Sequence, residues 1–417
     1  MEGRGATDLD GEYMPNLVPK DDDLIRLINT IHANNFDAWI VGGAVRDLIL
    51  GKIPSEYDIC TNATPENIKK IFDDHIPTGE KYGTITVKSG DSFFEVTTLR
   101  TEMDYGDGRR PEIVEWGDSL AVDLSRRDFT INSMAYDIES EMLFDPYNGR
   151  GDLERCILKA VGDAHERLAE DGLRILRAYR FMDRGEFGVW EPNYALATAL
   201  VDNRSMLSLI SVERIWMEFS KIILGKNCSA ILAKMSDDGV LFSIFNDQFD
   251  SKTIDLIQDL ETDIAIRMTI LFSGSDTQKM VNTLKRLKIS NSIINQCKLL
   301  HSIIGKIPQI EDLRVYRVAI GENTEAHLSI NRSLGYDVTN IEKSLQYPML
   351  SECLVDGLWI MNRTGLKPGI RLGRLKDWLH RIQIERGYTS QDEIEAILCT
   401  LSWDSGNEND WPTLDWP

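Results

Sequence analysis

Three carboxylates in the first hundred residues are the side chains whose types and spacing suit a metal ion. Glu56 and Asp58 are two positions apart, so a strand through them would place both on one face. Glu95 interrupts an apolar run, where an ionised acid is costly to bury without a partner or a cation. The pair alone is as typical of solvated acids on a turn. With Glu95, it predicts a two-metal Mg²⁺ site in which one ion activates a hydroxyl and the other holds a triphosphate.

A glycine pair precedes these acids and has the composition of a phosphate-binding turn. Gly42 and Gly43 follow the β-branched segment 38–41 and come before a helical pattern, with Arg46 close by. Backbone N–H groups at such a strand-to-helix turn favour phosphate oxygens, and an arginine adds positive charge. The alternative is a tight turn beside a surface arginine, and the glycine pair alone does not decide between them.

A third group of residues suits the recognition of a flat ligand. A helix over residues 170–181 would place Asp171, Arg174, Arg177 and Arg180 within about half of its circumference, with apolar residues opposite. Such a face is often only solvated. Asp171 and Arg174, however, are neighbours at i and i+3, and they can present an acceptor and a fork of donors side by side.

This pair has a specific logic for nucleobases. Cytosine and adenine each offer an amino donor next to a ring-nitrogen acceptor, which a carboxylate and a guanidinium would pair with. Uracil and guanine place a carbonyl oxygen where the amino group should be, and a buried mismatch of this kind costs about 1 to 3 kcal/mol or more. Protein side chains would thus replace a nucleic-acid template.

The elements that must position these residues change along the chain. Residues 24–150 mix helices with short β-branched runs and Gly-containing turns, which predicts a small α/β or α+β domain. After residue 151 strand signals almost vanish and amphipathic segments follow one another, so the remaining two thirds are predicted to be helical. The 417 residues are too many for one ordinary core, and several modules are expected.

Composition limits the classes of protein that fit. The net charge of −21 argues against general nucleic-acid binding, since such proteins carry a basic footprint, and any polyanion must be held by local arginine-rich patches. Part of the acidity is terminal: residues 1–23 hold seven acidic and two basic residues, and residues 404–417 hold four acidic and no basic ones. No apolar run of bilayer length and no secretory signal is present. Six scattered cysteines without a CxxC pair predict neither zinc nor disulfides, and they favour the cytoplasm.

Together these motifs resemble the class II tRNA nucleotidyltransferases, a family that also contains bacterial poly(A) polymerases. Order and spacing agree across residues 40–225, in the turn 40–47, the acidic pair before Thr61, the run 83–100, the segment 126–135 and the EDxxR element within 170–181. The resemblance implies an α+β fold, with a polymerase-beta-like head built on a small mixed sheet, followed by an all-helical neck, body and tail. The first metal carboxylate is commonly Asp in this family, and here it is Glu56.

The resemblance also implies substrates and roles. It implies addition of CCA to the 3′ end of tRNA with CTP, ATP and two Mg²⁺ ions, and Asp171 with Arg174 as the nucleotide selector. Arg177 and Arg180 are similar to triphosphate contacts, as is one of Arg126 and Arg127. The remaining nucleotide-binding positions implied by the match are Gly42, Gly43, Arg46 and Asn132.

Three further segments carry weaker implications. A loop over residues 101–111 is needed in the family for the switch from C to A addition, and its full length here favours complete CCA addition. In the segment 211–219, Arg214 with Glu213 and Glu218 is either part of the neck-helix motif or an ion-pair network that orients the selecting helix. The segment 365–374 is similar to the family's tRNA-gripping tail, with the basic residues Lys367, Arg371 and Arg374.

The predicted organisation has six parts: 1–23, a disordered acidic terminus; 24–150, the catalytic head; 151–243, the neck; 244–345, the body; 346–403, the tail; and 404–417, a flexible acidic terminus. An A-adding enzyme or a poly(A) polymerase of the same family is the nearest alternative. Poly(A) polymerases tend to have a longer, basic carboxyl-terminal part, which this chain lacks. A catalytically silent RNA-binding module is the alternative from another class, and it would have lost Asp58 and Glu95. The oligomeric state, monomer or homodimer, stays open.

Overall fold

The structure is a computed structural model, and it describes residues 9–103, 114–117, 119–349 and 351–417. The chain forms two compact units, residues 1–248 and residues 249–417. No helix in the described ranges combines the length and apolar composition needed to cross a bilayer. Most of the loop predicted at 101–111 lies outside these ranges.

The strands lie in the first unit. They are β1 (Gly11–Tyr13), β2 (Ala38–Val41), β3 (Asp58–Thr61), β4 (His75–Gly79), β5 (Thr84–Ser89), β6 (Ser92–Thr98), β7 (Arg100–Met103), β8 (Val114–Trp116), β9 (Ala135–Asp137), β10 (Met142–Phe144), β11 (Ile157–Leu158) and β12 (Glu191–Pro192). Eight of them form one sheet in the order β1-β10-β9-β2-β3-β6-β5-β4, while β7 pairs with β8 and β11 with β12. The large sheet is mixed, because β3 and β6 run parallel and its other pairs are antiparallel.

The helices are divided between the two units. Those of the first unit are α1 (Asp22–Ala33), α2 (Gly43–Ile49), α3 (Pro65–Ile71), α4 (Leu120–Ser125), α5 (Gly149–Glu154), α6 (Ala164–Glu170), α7 (Leu173–Met182), α8 (Tyr194–Asp202), α9 (Val212–Ile223), α10 (Cys228–Asp237) and α11 (Val240–Phe245). Those of the second unit are α12 (Ser251–Leu256), α13 (Ile264–Leu271), α14 (Thr277–Arg286), α15 (Asn291–Ser302), α16 (Leu313–Ile320), α17 (Thr324–Ser333), α18 (Thr339–Ser344), α19 (Gly357–Thr364), α20 (Ile370–Arg386) and α21 (Gln391–Leu398).

The centre of the sheet is where apolar patterning is strongest. All four residues of β2 are buried, which is typical of a strand covered on both faces. In β5, Ile85 and Val87 are fully buried and alternate with more exposed residues, as the two-residue period of a strand requires. Burial of Ile85 and Val87 fixes the register of β5 against β6, because a one-residue slip would turn them to solvent, and β6 in turn pairs in parallel with β3.

Helix α7 has the predicted apolar and arginine-bearing sides, but it begins three residues later than predicted. Its core side buries Ile175, Leu176, Ala178, Tyr179 and Met182, and the arginines lie on the other side. The helix begins at Leu173. Asp171 therefore has an extended backbone between α6 and α7, and the single continuous helix predicted over residues 170–181 is wrong at its start. The Asp171 carboxylate accepts from the Leu173 backbone N–H at 3.0 Å, which is a helix-start contact.

The predicted α+β class is confirmed, with a mixed-sheet head and a largely helical remainder. One difference lies beyond residue 151, where β11 and β12 form a short parallel pair. Another lies at the amino terminus, where the expectation of disorder to residue 23 is wrong for the described residues 9–23. There β1 pairs with β10 at the edge of the sheet, and Asp21 caps α1. Backbone pairing and a helix cap order this acidic segment despite its composition.

The carboxyl terminus is also ordered, in contrast to the flexible tail expected for residues 404–417. Trp411 is buried in a cluster formed by residues 355–398, and Trp416 packs in a T-shaped contact on Tyr316 with ring centroids 4.7 Å apart. Large aromatic side chains bury much apolar area, which opposes the entropy of a free chain end. The two tryptophans therefore attach the last residues to two separate clusters of the second unit.

Candidate active site

The three predicted carboxylates lie around the start of β3, with Glu95 contributed by an exposed position in the middle of β6 and not by a buried one. Asp58 begins β3 and lies in register with Glu95 on the parallel strand β6. Glu56 lies before β3, so the prediction that it shares a strand face with Asp58 is wrong. Glu56 lies in a bend, Asp58 on β3 and Glu95 on β6. Across the described ranges, no three acidic, histidine or cysteine side chains form a ready-made cage for a metal ion.

Electrostatics distinguish these acids from ordinary surface carboxylates. Burial raises the pKa of Asp58, Glu56 raises it further, and Arg127 partly opposes the rise. The pKa of Glu95 is also raised, first by burial and then by Asp58 and Glu56. Repulsion among carboxylates that lie close together is what a bound cation would relieve. The donor set therefore fits Mg²⁺, which takes oxygen ligands.

The glycine turn brings an arginine close to these acids. Gly42 has a φ of 70°, which favours glycine, and a Cβ at this position would lie 2.9 Å from Arg127 Nη1 and 3.8 Å from Asp58 Oδ2. The Gly42 N–H donates to the Met134 carbonyl at 3.2 Å, so this N–H is occupied. The absence of a side chain at Gly42 is what lets Arg127 approach Asp58. Gly43 begins α2.

Three further arginines converge on the same side, each beside one acid. Arg46 donates from Nε to Asp47 at 2.9 Å and from Nη1 to the Asn132 side-chain oxygen at 2.7 Å. Arg177 donates to Asp128 at 2.7 Å. Arg180 Nε lies 2.9 Å from Glu218 Oε2, an ion pair without hydrogen-bond geometry. We call Arg46, Arg177 and Arg180 the arginine cluster.

Asp128 is a buried residue that sequence reasoning assigned no role. Burial opposes its ionisation, but Arg177 and the Asn132 side-chain amide outweigh that effect and lower its pKa. The Asn132 amide donates to Asp128 at 3.1 Å, and its oxygen accepts from Arg46. Asn132 therefore connects Arg46 to the Asp128–Arg177 pair. The signal in the sequence was an acid directly after two arginines in the segment 126–135.

Asp171 and Arg174, the predicted selector residues, lie near the arginine cluster, and each forms hydrogen bonds with other residues of the protein. The Asp171 carboxylate accepts a hydrogen bond from Arg214 at 2.8 Å. Glu218, which the sequence grouped with Arg214, forms its ion pair with Arg180. Arg174 is buried and donates to the Glu170 carboxylate at 2.5 Å, to the Arg167 carbonyl at 2.8 Å and to the Arg126 carbonyl at 2.9 Å. These bonds fix the plane of its guanidinium.

One cavity of about 580 Å³ joins most of these side chains. It is lined by Gly42, Gly43, Arg46, Glu56, Asp58, Arg126, Arg127, Asp128, Asn132, Asp171, Leu173, Arg174, Arg177, Arg180, Phe181, Arg214 and Lys221. Its basic side chains outnumber its acids, which suits a polyanionic ligand in spite of the acidic chain. Glu95 lies beside Asp58 on the neighbouring strand through its register.

The basic residues predicted to contact RNA lie in the second unit, and two of them have other partners. Arg371 donates to the carbonyls of Trp403 and Gly406 and to the Glu408 carboxylate. Arg374 donates to the carbonyls of Glu408, Asn409 and Trp411. Both side chains hold the carboxyl-terminal segment, which the sequence pattern did not indicate. Lys367 is exposed before α20.

Comparison with known proteins agrees with the geometry. The poly(A) polymerase head domain family matches residues 38–159, and the family described as the probable RNA and SrmB-binding site of polymerase A matches residues 193–251. A CCA-adding enzyme of Lactobacillus delbrueckii subsp. bulgaricus is 34% identical over 360 residues, which are 84% of this chain and 90% of that protein.

Solved structures give the same assignment. The Bacillus stearothermophilus CCA-adding enzyme in complex with CTP has a TM-score of 0.77 and 26% identity, covering 91% of this chain and 96% of that one. The Thermotoga maritima CCA-adding enzyme complexed with tRNA-CCA has a TM-score of 0.65, 19% identity and coverage of 93% and 98%, and it shows the shared fold alone. The chain belongs to the family of CCA-adding tRNA nucleotidyltransferases.

Proposed function

We propose that this chain adds C, C and A to the 3′ end of tRNA, using CTP and ATP and releasing pyrophosphate. The observation that carries the proposal is the single cavity in which carboxylates, an arginine cluster and the Asp171 and Arg174 pair meet. The CCA-adding enzymes that resemble the chain over most of its length support the same reaction.

Asp58 and Glu95 are proposed to hold Mg²⁺, with Glu56 as the third carboxylate. Bound Mg²⁺ would favour deprotonation of the acceptor hydroxyl and neutralise charge on the triphosphate. Arg127, held by Asp123 at 3.0 Å, keeps a positive charge beside Asp58. Because Glu56 lies in a bend outside the strand, its longer side chain can reach toward the other acids from a different direction.

The arginine cluster is proposed to bind the triphosphate. Each of its guanidinium groups has one acidic neighbour that orients it, and an arginine has five N–H donors in total. Charge-assisted hydrogen bonds to phosphate oxygens are the strongest such contacts available to a side chain. Arg126 or Arg127, which line the same cavity, would complete this contact.

Asp171 and Arg174 are proposed to select the base. Three of the five donors of Arg174 are engaged by protein acceptors, and Arg214 holds Asp171. A rigid acceptor next to a rigid donor rejects a base with the wrong edge better than mobile groups do, because the mismatch cannot be relieved by movement. This makes Arg214 a positioning residue for the selector.

Binding of tRNA beyond its 3′ end is proposed to include Lys367 in the second unit. Arg371 and Arg374 are assigned instead to the carboxyl-terminal segment that they hold. A reducing, cytoplasmic location is proposed, and it is supported by six cysteines that all stand as free thiols.

The test of this function is product length. Purified protein is given tRNA that ends at the discriminator base, or in a second series tRNA that ends in CC, with CTP alone, ATP alone or both. We expect two added nucleotides with CTP alone and three with both. A single A on tRNA that already ends in CC, with no C addition, would indicate an A-adding enzyme, and a long A tract would indicate a poly(A) polymerase.

A further inference from the structure

The ring of Phe181 lies among all three members of the arginine cluster. The guanidinium carbon of Arg180 is 4.5 Å from the ring centroid, that of Arg177 is 5.3 Å away and that of Arg46 is 5.4 Å away. Phe129, which is fully buried, contacts the ring edge-on with centroids 5.7 Å apart. The ring therefore contacts the core through Phe129 and lies within cation–π distance of all three arginines.

Three cations gathered in a half-buried site repel one another. Burial lowers the pKa of Arg180, and Arg177 and Arg46 lower it further, against the opposing effect of Glu218. A fourth arginine, Arg184, lies nearby, and its pKa is lowered to about 10 by burial and then by Arg46. Each cation has an acidic neighbour, and any further attraction adds to what keeps the three side chains together.

An aromatic face has the properties needed for this task. Its quadrupole attracts a guanidinium, with a contribution of about 0.5 to 1 kcal/mol at exposed sites and about 2 kcal/mol where water is excluded. It contains no hydrogen-bond acceptor, so it attracts the cations without occupying their N–H donors. More carboxylates would also neutralise the charge, but they would consume those donors and repel a phosphate.

We infer that Phe181 is a positioning residue that holds Arg46, Arg177 and Arg180 together as one anion site. This rests on the proposed contact between the arginine cluster and the triphosphate. The ring contacts the arginines and not the selector residues, so its contribution is independent of the base. CTP and ATP should depend on it equally, and so should pyrophosphate.

The test replaces the ring in two ways and measures nucleotide addition. Phe181→Leu removes the aromatic face. Trifluorophenylalanine at position 181 keeps a similar shape while weakening the quadrupole. The matched control is Phe187→Leu. Phe187 is half exposed, and its ring contacts a cation outside the arginine cluster, with Lys52 Nζ 4.6 Å from the ring centroid. Thermal unfolding is recorded for each variant.

We expect Phe181→Leu to raise KM for CTP and for ATP by about 10-fold each, with kcat changed less than about twofold. Trifluorophenylalanine should raise both KM values in the same direction by a smaller factor, and the inhibition constant for pyrophosphate should rise in parallel. Phe187→Leu should leave all three constants unchanged. Unchanged KM values in both Phe181 replacements, or a change for only one nucleotide, would overturn the inference.

Arg177→Ala measured beside these variants separates this inference from the proposed function. If Arg177→Ala raises KM and the Phe181 replacements do not, the role of the ring is wrong while the triphosphate contact stands. If Arg177→Ala leaves KM unchanged, the triphosphate contact is wrong, and the inference about Phe181 is wrong with it.

Discussion

Arginines on helix faces occur in both units of this molecule, and the structure uses them in opposite ways. In α7, Arg177 and Arg180 each lie beside one carboxylate and face an open cavity. In α20, three arginines donate to backbone carbonyls of the chain's own last residues, and two of them, Arg371 and Arg381, also pair with the carboxylates of Glu408 and Glu385. The backbone contacts join Arg371, Arg374 and Arg381 to the carbonyls of residues 403, 406, 408, 409, 411, 413 and 415.

The difference lies in what each arrangement leaves for a ligand. A carboxylate neutralises and orients a guanidinium while it uses only part of its donor set, so a phosphate can still bind. Several carbonyls engage more of the donors, three of the five in Arg374, and they join the arginine to the chain's last residues. A basic helix face read from sequence alone therefore does not distinguish a binding site from a structural clamp.

The largest effect is expected at the carboxylates of the first unit. Asp58→Asn should lower the rate of nucleotide addition by about 10³-fold or more, because it removes a charge from the metal-binding group. Steady-state kinetics with CTP and tRNA measure this, with circular dichroism as the control for folding. A variant that is folded and retains activity within tenfold of the wild type would contradict the assignment of Asp58.

The next effect concerns the ion pair beneath the arginine cluster. Asp128→Ala should destabilise the protein by about 3 kcal/mol, since Asp128 is only 7% exposed and its loss leaves Arg177 without its partner. Glu342→Ala is the matched control, because it breaks an ion pair whose two side chains are 58% and 50% exposed. Its cost should be about 1 kcal/mol or less. Denaturant unfolding that gives equal costs would show that the buried pair has no special role.

One substitution in α7 and one in α20 separate a ligand-binding arginine from a structural one. Arg177→Ala should raise KM for nucleotides by about 10-fold or more, since charge-assisted contacts contribute about 1.5 to 3 kcal/mol. Arg374→Ala should leave KM unchanged and destabilise the second unit by about 1 to 2 kcal/mol, since it frees carbonyls of the last residues. Arg332→Ala, at an exposed position, controls for loss of surface charge. A weaker affinity for tRNA in Arg374→Ala without loss of stability would favour RNA contact after all.

The smallest effect is on stability as a function of pH without divalent metal. A raised pKa means that folded Asp58 binds its proton more tightly than unfolded Asp58 does, so its contribution to stability falls as pH rises above the ordinary value of 3.8. Asp58→Asn removes this penalty and should raise Tm near pH 7 by about 2 °C or less in chelator. The gain should shrink toward pH 4. A gain that does not depend on pH would exclude this electrostatic cause.

Particular residues show what the sequence could and could not predict. The sequence pointed to Asp58 and Glu95, and the two are paired in register, but the side chain of Glu95 is exposed, so the expected cost of burying it was not the reason for its place. Spacing failed for Glu56, since the start of β3 depends on pairing with β2 and β6. Partners remote in sequence, such as Asp128 for Arg177 or Glu218 for Arg180, and the carbonyls that hold Arg374, depend on tertiary packing and left no local pattern.

The selector pair is where base choice by protein side chains is tested most directly. Asp171→Asn replaces a group that only accepts hydrogen bonds with one that also donates, and it keeps the size of the side chain. The measurement is kcat/KM for UTP relative to CTP at the first added position. We expect this ratio to rise by about 10-fold or more in Asp171→Asn. A ratio equal to that of the wild-type protein, in a folded and active variant, would contradict selection by Asp171.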